Sequence, residues 1–178
     1  FVSLEDFIPP ELHGIAERAH EPQEAEWNGD LVRIVHYRVK LREEGYLRME
    51  SYLFFTPPVV GVSFPLPIKI TGVKTRFSLL EIPFVGFYDL DKNGREEMVY
   101  VYSMEEKGYL IVEAAVFSDD PESIKNGKLK YRDDLTMALR GFEKFNYLSG
   151  SEDGKARKLS IDEIKAVIEA FCESPQAK

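Results

Sequence analysis

Between Leu31 and Phe55 the side chains alternate in polarity with a period of two, twice over, about one short acidic loop. Leu31, Val35, Tyr37, Val39 and Leu41 fall on one side, with Arg33 the single interruption. His36, Arg38 and Lys40 fall on the other. In the second run Leu47, Met49, Leu53 and Phe55 share a side. Successive side chains of a strand point to opposite faces, so this pattern predicts two strands, over 31–41 and 46–55, each with one apolar face. Glu43-Glu44-Gly45 then forms the loop, with Gly45 left-handed. That places Leu41 opposite Leu47, Val39 opposite Met49 and Arg38 across from Glu50, with His36 a surface residue. A slip of one residue carries Arg48 into the apolar face, which argues for this register.

The flanking segments extend the pattern. Leu12, Ile15, Ala16 and Ala19 form a helical stripe, bounded by Pro9 and Pro10 before it and Pro22 after it, predicting a helix over 4–20. Asn28-Gly29-Asp30 is a turn. After a proline-broken connection, Ile68 to Ile82 predicts one or two strands around Gly72. Phe84–Tyr88, Met98–Met104 and Tyr109–Phe117 predict a three-strand antiparallel meander. From Tyr131 to Leu148 the period lengthens, with Leu135, Ala138, Leu139, Phe142 and Phe145 on one stripe. Ser151–Lys158 reads as a polar linker. Ser160 and Glu163 have capping-box spacing before a helix that buries Ile161, Ile164, Val167, Ile168 and Phe171. The expectation is one α+β domain over 1–178. It has an antiparallel sheet of six or seven strands (β-rich core 30–118), one N-terminal helix, and two C-terminal helices within 130–173.

Composition excludes several classes. A net charge of −8 over 178 residues disfavours non-specific attraction to nucleic acid or anionic lipid. The longest low-charge stretch carries Pro57, Pro58, Pro65 and Pro67, so it predicts no transmembrane helix. One cysteine, Cys172, excludes an internal disulfide framework and a cysteine-based metal cluster. The first residue is Phe1, and a removed signal peptide or a boundary within a longer protein each account for it. Sequence signatures of a P-loop, a dinucleotide fold and a nucleophile elbow are absent.

The loop joining the first two strands of the meander carries most of the candidate chemistry. Asp89, Asp91, Asn93 and Glu97 stand at loop positions 1, 3, 5 and 9, with Gly94 at position 6 and the carbonyl of Arg95 at position 7. A hard cation takes six to eight oxygens, and a loop bent at a glycine converges side chains from alternate positions. The pattern follows an EF-hand loop this far and then departs, because position 12 is Tyr100 and the flanks are strands. Turn chemistry is the competing reading. It accounts for Asn93 and Gly94 in full and Asp89 in part, but it requires neither Asp91 nor Glu97.

The strand-flanked Asp-x-Asp-x-Asn-Gly-x-x-Glu resembles the calcium loops of FG-GAP type, found in blades of integrin-like β-propellers, whose usual form is Asp-x-Asp-x-Asp-Gly-x-x-Asp. The resemblance implies that Asp89, Asp91, Asn93, Glu97 and the Arg95 carbonyl are calcium ligands. Asn93 and Glu97 stand where aspartates are usual, and a single copy implies a site without a propeller. Magnesium is disfavoured by its stricter octahedral geometry.

Two other features bear on function. His13, Glu17, His20 and Glu24 have spacing that places at least the first three on one helical face, either a zinc or general-base constellation or a solvated face. Tyr52 to Ile68 lacks charge and is rich in large apolar residues; the segment 52–70 offers a protein or lipid partner a surface if exposed, and core if not. The leading expectation is a non-enzymatic, extracytoplasmic (secreted or periplasmic) domain with a structural calcium site. The alternatives are a hydrolase using the first-helix histidines or a sheet cleft, and a lipid- or partner-binding envelope module.

Overall fold

The computed structural model describes residues 14, 16–18, 21–40, 47–56, 68–75 and 83–174. In chain order these form β1 (Ala16–Arg18), β2 (Gln23–Trp27), β3 (Asp30–Lys40), β4 (Leu47–Thr56), β5 (Ile68–Thr75), β6 (Phe84–Tyr88), β7 (Glu97–Glu106), β8 (Tyr109–Ser118), α1 (Pro121–Lys125), β9 (Lys130–Tyr131), α2 (Asp133–Arg140), α3 (Glu143–Asn146), β10 (Ser151–Glu152), β11 (Lys155–Ala156) and α4 (Ile161–Glu173). The α+β class and the antiparallel pairing are as expected. The strands, however, form sheets of five, four and two, where one sheet of six or seven was predicted. The chain groups into two compact units, Phe1–Phe77 with Asp120–Leu129, and Ser78–Asp119 with Lys130–Lys178.

The first unit contains the five-stranded sheet, with β4 between β3 and β5, and both β1 and β2 along the other side of β3. Asn28 and Gly29 take left-handed conformations, φ 50° and 89°, and reverse the chain so that Trp27 pairs with Asp30. The predicted helix over 4–20 is corrected where it can be compared. Ala16–Arg18 is a strand, its residues opposite Val39, Arg38 and Tyr37, and residues 4–13 lie outside those described. A helical stripe containing two alanines is a weak preference, and main-chain pairing along β3 overrides it.

β3 and β4 pair antiparallel as expected, but their register is displaced by one residue from the prediction, and the expected loop at Glu43-Glu44-Gly45 lies outside the described residues. Lys40 lies opposite Leu47, Val39 opposite Arg48 and Arg38 opposite Met49. Met49 and Leu53 therefore share a face with Ile34 and His36, while Val35 and Tyr37 share the other with Tyr52 and Glu50. Alternation fixes register only when one face is solvated. Here both are buried, since Ile34, Val35, Tyr37, Met49, Leu53 and Phe54 are all essentially inaccessible. His36 was expected at the surface. It is 2% exposed, and its Nδ1 lies 2.6 Å from Ser51 Oγ directly across the pair.

Glu50 is buried on the other face, and three groups compensate it. Tyr52 donates its hydroxyl at 2.5 Å, Arg48 lies at 2.7 Å and Lys69 at 3.2 Å. Burial alone raises a carboxyl's pKa. The Tyr52 hydroxyl, Lys69 and Arg48 outweigh it and hold Glu50 below its ordinary value. The ends of the apolar segment also belong to the interior, with Tyr52, Leu53, Phe54, Ile68 and Ile70 buried; residues 57–67 lie outside those described.

The second unit holds the sheet β6-β7-β8-β9, and its meander follows the predicted spans. Val99 and Val101 of β7, with Leu110, Val112, Ala114 and Val116 of β8, line one face. Against them pack Leu135 and Leu139 of α2, Phe145 of α3, and Ile164, Ile168 and Phe171 of α4. The predicted helix over 131–148 is two helices, broken at Gly141, whose N–H caps Met137 O before Phe142 turns to extended geometry. Phe142 still reaches the core, meeting Phe171 edge-on at 5.5 Å. The expected linker 151–158 contains the β10–β11 hairpin, turned by Asp153 and Gly154 at positive φ. Both arms of the Ser160–Glu163 capping box are present. Ile161, expected in the core, is exposed because it opens the first turn.

The outer edge of β8 is sealed by the C-terminal segment. Leu110 exchanges main-chain bonds with Gly150, and Val112 N–H donates to Ser149 Oγ. Arg140 Nε donates to Ala114 O, Val116 N–H to Thr136 Oγ1, and Arg132 N–H to Val116 O. Such bonds satisfy groups that would otherwise template a further strand. They also fix Arg132, the residue preceding α2, at the end of the sheet that carries the β6–β7 loop.

Candidate metal centre

The β6–β7 hairpin closes on the pair Tyr88–Glu97, leaving residues 89–96 as the loop. Leu90 is wholly buried and belongs to the core beneath, so the loop is plugged into the unit while Lys92 to Arg95 stay exposed. Lys92 and Gly94 take left-handed conformations, φ 59° and 90°, and turn the chain back on itself.

That path is held by acceptor side chains. Asp89 accepts from the N–H groups of Asn93 at 3.1 Å and Gly94 at 2.9 Å. Asp91 accepts from Asn93 N–H and from its amide nitrogen, each at 3.2 Å. Asn93 Oδ1 accepts from Arg95 N–H at 2.8 Å. Asp91 in turn donates its N–H to Glu97 Oε1 at 3.4 Å.

One carboxylate oxygen from each of Asp89, Asp91 and Glu97 lies within 4.8 Å of the others. Oxygens bound to a shared calcium at 2.3–2.6 Å can be separated by up to about 5 Å, so this convergence suits a common ion. Of the expected set, the structure thus brings together the three carboxylates, and hydrogen bonds tie Asn93 and the Arg95 backbone into the same turn.

Glu97 is the unusual member. It begins β7 at 2% exposure, and burial, then Asp91 and, more weakly, Asp89, push its pKa from 4.5 to about 7. The Asp91 N–H and Arg132 pull the other way.

Sequence spacing did not reveal Arg132, 41 residues beyond Asp91. Its guanidinium lies 3.5 Å from Asp91 Oδ2 and binds both carboxylate oxygens of Asp134, at 3.1 and 2.9 Å. Its pKa is raised, first by the Asp134 bond. Arg95 similarly ties the loop to Asp119 beyond β8, at 2.8 Å. The thiol of Cys172 feels the charges of Lys92, Asp89 and Glu97, but burial above all pushes its pKa up; the converging ligand atoms are carboxylate oxygens alone, an all-oxygen donor set. Such a set suits hard cations.

The helical placement expected for the His13, Glu17, His20 and Glu24 constellation is corrected at its two described members. Glu17 and Glu24 lie on β1 and β2, and His13 and His20 lie outside the described residues. Among the described residues no helix is long and apolar enough to cross a membrane. Comparison of the chain with protein-family models, curated proteins and solved structures finds no match.

Proposed function

We propose that the chain is a non-catalytic domain whose β6–β7 loop binds a calcium ion as a structural cross-link between the two strands. The convergence of Asp89, Asp91 and buried Glu97 carries this reading. Without an ion the three carboxylates repel one another, and Glu97 is held well above the ordinary carboxylate range, at about 7. A cation removes the repulsion and favours the ionised form. Asn93 Oδ1 and the Arg95 carbonyl supply further oxygens, as the FG-GAP resemblance implies.

Calcium is favoured over zinc by the oxygen donors and over magnesium by its tolerance of irregular geometry. Three carboxylates, one engaged by Arg132, make a modest charge. That matches Kd values on the order of 10⁻⁴–10⁻³ M, typical of extracellular modules, and an extracytoplasmic location. The deciding experiment is thermal melting in chelator and in rising calcium. The midpoint should climb with calcium, and an unchanged midpoint at millimolar calcium rejects the site.

A further inference from the structure

We draw no further inference here: the strongest candidate, the imidazole–hydroxyl pair of His36 and Ser51 buried between β3 and β4, is 2% and 0% exposed, with its two groups engaged by each other, and nothing among the described residues shows a path to it.

Discussion

Asp91 donates its backbone N–H to Glu97 Oε1 at 3.4 Å, joining the start of the loop to the first residue of the returning strand. The bond is long and holds a buried carboxyl between two aspartates, so Glu97 is where the loop's charge is least well accommodated.

Glu97→Gln preserves that acceptor and removes the charge. In chelator at pH 8 the variant should melt above the wild type, by on the order of 2 kcal/mol, because a carboxyl with a raised pKa destabilises the fold once ionised. Its calcium-dependent shift should disappear. Differential scanning calorimetry with and without calcium reads both effects, and a retained calcium shift contradicts the role assigned to Glu97.

The pH dependence follows from the same carboxyl. Its folded pKa, about 7, exceeds its ordinary 4.5, so the folded state holds the proton more tightly. The resulting stability is fully present below 4.5 and is lost as pH rises to 7. Calcium binds the ionised form, so its affinity should fall as pH drops below 7, with proton release on binding near neutrality. Calorimetric titrations in buffers of different ionisation enthalpy measure that release, and its absence at pH 6.5 separates calcium binding from Glu97.

Arg132→Gln tests the competing cation. The contact with Asp91 is long and partly exposed, a class of pair worth ~0.2–1 kcal/mol. With calcium chelated the variant should lose at least that much stability, because the closer pair with Asp134 is broken as well. It should also bind calcium ~2- to 5-fold more tightly, since Asp91 is released and a repelling charge is gone. Weaker calcium binding would mean that Arg132 chiefly supports the loop's shape.

Gly94→Ala separates backbone from ligand effects. An added Cβ meets nothing within 4 Å, so the cost arises from φ +90° alone. A loss of about 1 kcal/mol is expected, with the calcium-dependent shift reduced. Urea unfolding with and without calcium checks this, and an unaffected variant would show that the left-handed turn is not needed.

The loop was legible because its information is local: side chains at alternate positions converge when the chain bends, and Asn93-Gly94 marks the bend. Arg132 was not, because it reaches Asp91 through the sealing of β8 by α2, a tertiary arrangement with no local spacing to betray it. The β3–β4 register failed for a related reason. Alternation separates core from solvent only where one face is wet, whereas here both faces are core and Glu50 is buried with its own counter-charges. Gly141 lay inside a helical stripe whose period continued through the break, so the pattern revealed the buried face of α2 and α3 but not their number.

Glu50 gives the opposite pH response to Glu97. Its folded pKa lies below 4.5, so its stabilisation is present above that value and is lost as pH falls through the folded pKa. Glu50→Gln keeps the shape but leaves Arg48 and Lys69 without a carboxylate between them. Both are partly exposed, which lowers the cost from the roughly 3–5 kcal/mol of a fully buried broken pair to about 1–3. Trp27, the single tryptophan, is buried at the β2–β3 turn of the same sheet and makes its fluorescence a local reporter. The wild-type signal should show acid unfolding beginning below pH 4.5. In Glu50→Gln, Trp27 should report lower stability at pH 7 and a flatter acid limb. An acid limb as steep as the wild type's would mean that other carboxylates govern acid unfolding of this sheet.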